Sequence, residues 1–131
     1  MAGITCVVVT PEETALETKC DFVIVPLYDG EKGIAPNHSP MIGRLGYGEL
    51  RIKNGNSVTR YYVDGGFVQV ANNTVSVLTN HAVLASEVDA NAAKALLQAA
   101  AKLSVSTDEQ YEVRERQIAQ ARAQLRASSN G

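Results

Sequence analysis

The sequence is poor in aromatic residues, which make up 5% of its 131 residues, and it contains no tryptophan. Apolar residues reach 45%, so the core must be built mostly from Val, Leu, Ile and Ala. No apolar run approaches the ~18 residues that a membrane span needs, so we expect no insertion into a membrane. The N-terminus lacks the basic start and apolar stretch of a signal peptide, so we expect the protein to stay where it is made.

Cysteine and excess charge are also scarce. The two cysteines, Cys6 and Cys20, cannot build a disulfide framework and do not match metal-ligand spacing, so we expect reduced core residues. The chain has 12 basic and 14 acidic residues, a formal net charge of -2. This balance argues against a nucleic-acid partner, because such domains are usually basic.

The sequence shows no set of residues that would form a catalytic site. Only two histidines are present, His38 and His81, and the sequence shows no partner for either. There is no P-loop, and Gly43, Gly46 and Gly48 precede a strand instead of forming a dinucleotide-binding turn, which is typical of bend glycines. We therefore expect no catalytic site, no metal and no cofactor.

The first part of the chain has the pattern of a β domain. Leu50 and Ile52 alternate with charged residues, as do Val75 and Val77 with Thr and Ser, which is the period of half-buried strands. Turn sequences such as Asn54-Gly55 separate the apolar runs. Short strands about every ten residues predict an antiparallel sandwich or a flattened barrel over residues 1–86.

The second part has the pattern of helices. Residues 89–103 are rich in Ala, Leu and Lys and contain neither glycine nor proline, which predicts a helix. After a break, Thr107 and Gln110 form a capping-box pattern, which predicts a second helix over about 108–127. We therefore expect residues 87–131 to form a two-helix antiparallel hairpin. Because the hairpin has few large apolar residues, we expect a weakly held arm.

Two surface features have a possible binding role. The polar loop at residues 28–33 lies between predicted strands. From Arg114 onward, the second helix carries Arg114, Arg116, Arg122 and Arg126 against one glutamate, Glu115. This basic face suits an acidic partner or phosphate groups, or it is only a solvated surface.

Five stretches, taken together, resemble the epsilon subunit of the bacterial or chloroplast F-type ATP synthase. They are V-V-V-T-P-E at 7–12, G-E-K-G-I-A-P-N-H-S-P at 30–40, G-Y-G-E-L-R-I at 46–52, V-D-G-G-F-V-Q-V at 63–70 and V-S-V-L at 75–78. The resemblance extends over the whole chain. It implies a ten-stranded sandwich followed by a C-terminal helix pair.

The resemblance also implies a function and partners. The sandwich would bind the gamma subunit and the membrane c-ring and couple rotation to the catalytic head. The helices would contact the catalytic beta and alpha subunits and inhibit ATP hydrolysis. The protein would be a non-catalytic rotor subunit, peripheral on the cytoplasmic face of a bacterial plasma membrane or on the stromal face of a thylakoid.

The resemblance assigns roles to particular residues. The c-ring contact would be Asp29, Gly30 and Glu31, within a motif loop that contains Gly33, Pro36, His38 and Pro40. The inhibitory basic helix would use Arg114, Arg116, Arg122 and Arg126.

Some family members bind ATP through an I/L-D-x-x-R-A motif together with arginines of the second helix. Here Asp89, Arg122 and Arg126 are present, but Ala92 replaces the motif arginine and Val83 replaces an upstream acidic residue. Losing one charge-assisted contact costs about tenfold in affinity. We therefore expect weak or absent ATP binding.

The alternative from a different class is a free ligand- or peptide-binding β-sandwich with an unrelated helical tail. It would need exposed aromatic residues on one concave face, and the sequence has only five tyrosines and two phenylalanines to supply both that face and the core.

Overall fold

Alternating apolar residues form strands through the first two-thirds of the chain. The computed structural model describes residues 3–130, without the side chains of 129 and 130, so residues 1, 2 and 131 of the two expected domains lie outside the described residues. The strands are β1 (Ile4–Val9), β2 (Thr14–Cys20), β3 (Phe22–Leu27), β4 (Gly30–Ile34), β5 (Met41–Asn54), β6 (Ser57–Ala71), β7 (Thr74–Leu78) and β8 (Ala82–Leu84). A 3-10 helix at Ala85–Glu87 leads into α1 (Ala90–Ala101) and α2 (Asp108–Asn130).

The eight strands described within residues 3–130 form one hydrogen-bonded sheet in the order β2-β1-β7-β6-β5-β3-β4, with β8 paired to β6. All pairs are antiparallel except β1 and β7, which are parallel. The expectation of ten antiparallel strands was therefore wrong in both respects. β5 and β6 have 14 and 15 residues and run unbroken where two shorter strands each would give the higher count.

In each of the long strands β5 and β6, the face that points to the core changes midway along the strand. In β5 the buried residues are Leu45 and then Leu50 and Ile52, so the period of two slips by one residue between 45 and 50. In β6 the same slip separates buried Val63 from buried Val68. Because neighbouring residues of a strand point to opposite faces, each strand exchanges its inner and outer faces at this point.

Glycines allow this exchange. Gly66 has φ +107°, which L side chains rarely adopt, and a Cβ there would collide with the Leu78 carbonyl oxygen. Gly65 also has a positive φ, +71°. The strand can therefore turn into the second layer here only with glycine.

The sheet folds over so that one core fills the space between its two layers. Cys20 at one end of the strand order and Ile34 at the other belong to the same buried cluster as Val68 and Val75 in the middle. The cluster is almost entirely Val, Ile and Leu, as the composition requires.

The two helices pack along each other, with Ala93 and Ala100 of α1 and Ile118 and Ala121 of α2 buried. Asp89 caps α1 by accepting a hydrogen bond from the Ala92 N–H at 3.0 Å. At the start of α2 the Thr107 hydroxyl accepts from the Gln110 N–H at 3.1 Å. The Gln110 side chain bonds the Ser106 N–H at 2.8 Å instead of returning to Thr107 as in a capping box.

Candidate functional site

The outer surface of the folded sheet has two faces, and α2 covers one of them. Small residues of α2, Ala123 and Ala127, pack against Tyr62 of β6 and the adjoining Tyr47 of β5. Tyr62 is thereby only 1% exposed. Alanine allows the helix to approach closely, but it buries little apolar area per residue, so the helix is held weakly for its length.

Two glutamines one turn apart supply the polar part of this contact. The Gln120 side chain donates to both carboxylate oxygens of Asp64, at 3.0 and 3.2 Å. Gln124 lies beside the Tyr62 hydroxyl, which is buried without a partner in good hydrogen-bond geometry. Burial raises the pKa of Tyr62 above its usual value, and the negative charge of Asp64 raises it further.

The other outer face is open, and it exposes a group of apolar side chains. Register pairs Arg44 of β5 with Phe67 of β6, and Phe67 with Leu78 of β7, so these residues form one row on one face. Ile42 is 73% exposed, Phe67 58% and Leu78 46%. At one side of the row the Arg44 guanidinium lies 5.6 Å from the centre of the Tyr28 ring. An exposed apolar cluster of this kind is typical of a protein-binding surface.

The loop Asp29–Glu31 lies at the tip of the β3–β4 hairpin and is exposed. The Glu31 carboxylate accepts from Arg51 Nη2 at 2.9 Å through both of its oxygens. Glu49 lies beside Arg51 and also contacts Arg60, at 3.2 Å. Glu31, which is expected to contact the c-ring, therefore also binds an arginine of its own sheet.

The motif loop continues from β4 into a turn. Gly33 lies under the ring of Phe22, and a Cβ there would come within 2.5 Å of that ring. The turn contains Pro36, and His38 Nδ1 lies 2.7 Å from the Ser39 carbonyl oxygen. Pro40 is exposed just before β5. These positions are consistent with a loop that shapes the hairpin, and they bring no catalytic group together.

The structure divides the four expected basic residues of α2 into two pairs. Arg122 and Arg126 line a cleft of about 610 Å³ between α2 and the sheet, with Arg44 on the opposite wall. Arg114 pairs with Glu115 at 3.1 Å, and Arg116 is exposed one turn before the cleft. Arg126 also lines a second cleft, of about 330 Å³, together with Glu31 and Arg51.

Asp89 does not line the large cleft that Arg122 and Arg126 border. Its carboxylate is the N-terminal cap of α1, as described above. In this position the residues of the expected nucleotide site do not form one pocket.

The described residues contain no cluster of three or more metal-ligating side chains. Cys6 and Cys20 are both free and buried. Burial raises the pKa of the Cys6 thiol to about 12, so it is protonated and unreactive at neutral pH.

Sequence reasoning missed Asp64 and Gln120, the residues that join the hairpin to the sheet. Asp64 directly precedes the glycine pair Gly65-Gly66, and nothing in its local sequence marks it as a contact for a distant helix. A signal was present in α2, where alanines at 119, 123 and 127 alternate with glutamines at 120 and 124. A small-and-amide stripe of this kind indicates a helix face that packs closely on another element.

Comparison with known proteins agrees with this architecture. Residues 3–85 match the family model described as "ATP synthase, Delta/Epsilon chain, beta-sandwich domain". An "ATP synthase epsilon chain" of Rhodopirellula baltica is 46% identical over 126 residues, covering 96% of this chain and 98% of the relative. One of Leptospira borgpetersenii is 40% identical over 99 residues, covering 76% and 78%.

Two solved structures share the fold. A chain of the Euglena gracilis mitochondrial ATP synthase OSCP/F1/c-ring structure superposes with a TM-score of 0.82 at 23% identity, covering all of this chain and 83% of that one. A chain of the Tetrahymena thermophila central stalk/c-ring structure gives 0.76 at 16% identity, covering 95% and 96%.

Fold and family model together define a protein with the delta/epsilon type of β-sandwich followed by a helical hairpin. With relatives similar over nearly its full length, the chain belongs to the ATP synthase epsilon chain family.

Proposed function

We propose that this chain is a non-catalytic subunit of the central stalk of a proton-translocating F-type ATP synthase. The observation that carries the proposal is the open apolar face around Phe67, on a chain whose relatives are epsilon chains. An exposed apolar face of this kind is stabilised when another protein covers it, and a rotor subunit is bound to other subunits of the rotor. The relatives do not favour the alternative of a free ligand-binding sandwich.

Each surface has a proposed partner. The open face binds the gamma subunit, because the buried centre of a stable interface between two subunits is rich in apolar and aromatic side chains. The loop Asp29–Glu31 contacts the polar loops of the c-ring. The sandwich at residues 1–86 thus couples c-ring rotation to the catalytic head, and the hairpin at 87–131 regulates that head.

The location follows from these partners. Within residues 3–130 no helix is both long and apolar enough to cross a membrane. Through its partners the chain is peripheral on the membrane, on the cytoplasmic face in a bacterium or the stromal face in a thylakoid.

The hairpin restrains ATP hydrolysis through its basic residues. When α2 is docked, Arg122 and Arg126 lie at the cleft against the sheet. Once α2 leaves, all four arginines of the helix can meet acidic segments of the catalytic beta and alpha subunits. The weak alanine-based docking makes such a change of position accessible.

Nucleotide binding is weak or absent. Ala92 cannot supply the guanidinium of the family motif, and Asp89 is occupied as a helix cap. No cofactor is required for the coupling function.

The regulatory role is tested by replacing Arg114, Arg116, Arg122 and Arg126 with alanine in the assembled complex. We expect ATP hydrolysis to rise by about two- to tenfold, because charge-assisted contacts of about 0.4–1.4 kcal/mol are lost. A control replaces two exposed lysines with alanine, Lys94 of α1 and Lys102 at its C-cap, and leaves the rate unchanged. An unaltered rate in the arginine variant, with normal assembly, would show that the basic face is only solvated.

A further inference from the structure

The tip of the β3–β4 hairpin is short of backbone hydrogen bonds. Pro26 of β3 has no N–H to donate on the side of the strand that faces β5. The pairing of β3 with β5 is also interrupted, between Ile24 and Leu27. β4 itself ends the strand order, so no further described strand supports its outer edge.

A side chain from β5 spans this weak region. Arg51 pairs with Ile24 of β3, and its Nη2 reaches beyond β3 to Glu31 on β4, with both carboxylate oxygens at 2.9 Å. On the other side of the tip the Tyr28 N–H donates to the Arg44 carbonyl at 3.0 Å. The tip is therefore hydrogen-bonded to β5 at two places. Tyr28 bonds the backbone of Arg44, and Glu31 bonds the side chain of Arg51.

Arg51 is itself held in place. Glu49 Oε1 lies 3.9 Å from Arg51 Nη1 and 3.2 Å from Arg60 Nε, and the Glu49 side chain is only 10% exposed. An isolated surface ion pair contributes little, because two mobile side chains must be ordered. Here the guanidinium is already confined by its neighbours, so less entropy is lost when it binds Glu31.

We propose that Arg51 is a positioning residue for the c-ring contact. It holds the Glu31 carboxylate, and with it the loop Asp29–Glu31, in the conformation that meets the c-ring. The Glu31 side chain remains 53% exposed, so its outer lone pairs stay available to a partner. This inference rests on the proposed function of that loop.

The positioning is tested first in the free full-length chain by amide hydrogen exchange at residues 28–33. Arg51→Met and Glu31→Ala each remove the ion pair, and we expect both to speed exchange there by about two- to fivefold. Arg51→Lys keeps a charge and restores part of the protection. Lys53→Met, which removes a cation from the same strand and face, leaves exchange at 28–33 unchanged. Unchanged exchange in Arg51→Met, or an equal effect of Lys53→Met, overturns the inference.

The consequence is tested in the assembled enzyme as the ratio of proton pumping to ATP hydrolysis. Arg51→Met and Glu31→Ala each lower this ratio, and the double variant lowers it no further, because Arg51 acts through Glu31. A merely structural role of Arg51 would instead add to the effect of Glu31→Ala.

Failure of the inference and failure of the proposed contact give different results. If Glu31→Ala lowers the ratio and Arg51→Met does not, the c-ring contact stands and the positioning role is overturned. If neither variant lowers the ratio, the c-ring contact at this loop is overturned, and the functional role of Arg51 with it.

Discussion

Tyr62 is buried beneath residues of α2. Ala123 and Ala127 pack against it, Gln124 lies beside its hydroxyl, and the negative charge of Asp64 acts on that hydroxyl. An ionised phenol there would be poorly solvated and close to a carboxylate, which is why the pKa of Tyr62 is raised.

This raised pKa makes the docked state sensitive to alkaline pH. Undocked or unfolded, Tyr62 ionises with an ordinary pKa of about 10, whereas in the docked state it stays protonated at higher pH. The docked state then binds more protons than its competitor, so its stability falls as pH rises above about 10. The loss amounts to about 1.4 kcal/mol by pH ~11.

Denaturant unfolding of the wild type and Tyr62→Phe at neutral pH and at about pH 11 measures this difference. Other groups titrate equally in both proteins, so the comparison isolates Tyr62. We expect the wild type to lose more stability than the variant. Equal losses would contradict the burial of Tyr62 under α2.

Among the secondary-structure elements, α2 has a polar contact that defines its register on the sheet. Gln120 bonds both oxygens of Asp64, while the neighbouring contacts are alanines against tyrosines. Alanine contacts alone define the register of the helix poorly, because a shift along the helix axis replaces one alanine by another. The amide–carboxylate contact therefore sets where the helix lies.

A double-mutant cycle with Gln120→Ala and Asp64→Ala measures this contact. We expect a coupling of about 1 kcal/mol and faster amide exchange along the second half of α2, because a hydrogen bond to a charged group is lost. Gln98→Ala, an exposed glutamine on α1, serves as the control and has no effect on α2. Additive single effects would show that the two side chains do not hold the helix.

The elements also show how far the sequence determines the fold. Alternation at Leu50 and Ile52 predicts half-buried strands, and the alanine-rich segment predicts α1, because both signals are local. Gly43, Gly46 and Gly48 do not precede a strand as expected, because all three lie within β5. Whether a strand continues unbroken through such glycines depends on its partners, so no local pattern could correct the ten-strand count.

The candidate site could be predicted less completely. The Glu31 loop and the arginines of α2 stand out by type and spacing, and their proposed roles stay predictions. The contacts made by Asp64 and Arg51 depend on residues distant in sequence. Gln120 lies 56 residues from Asp64, and Arg51 lies 20 from Glu31, so no local pattern reveals either pair.

At the scale of the whole molecule, the two outer faces of the sheet have different roles. One face is covered by the chain's own helix α2, while the other exposes the apolar side chains of Ile42, Phe67 and Leu78. A subunit that must stay on a rotor and also release an arm needs this arrangement, because the attachment must not change when the arm moves.

The most direct test of the account is affinity purification of the tagged chain from the membranes of its own host. It compares the wild type, Ile42→Ser/Phe67→Ser on the open face, and Val58→Ser, an exposed control away from that face. We expect the wild type and the control to recover gamma, the c-ring and the catalytic subunits. The double variant, which loses only exposed side chains, should stay folded but recover at least about tenfold less gamma.

Two results would contradict the account. Recovery of the wild-type chain alone, while the synthase remains intact, would contradict its place on the rotor. Undiminished recovery of gamma with the double variant would contradict the open face as the docking site of gamma.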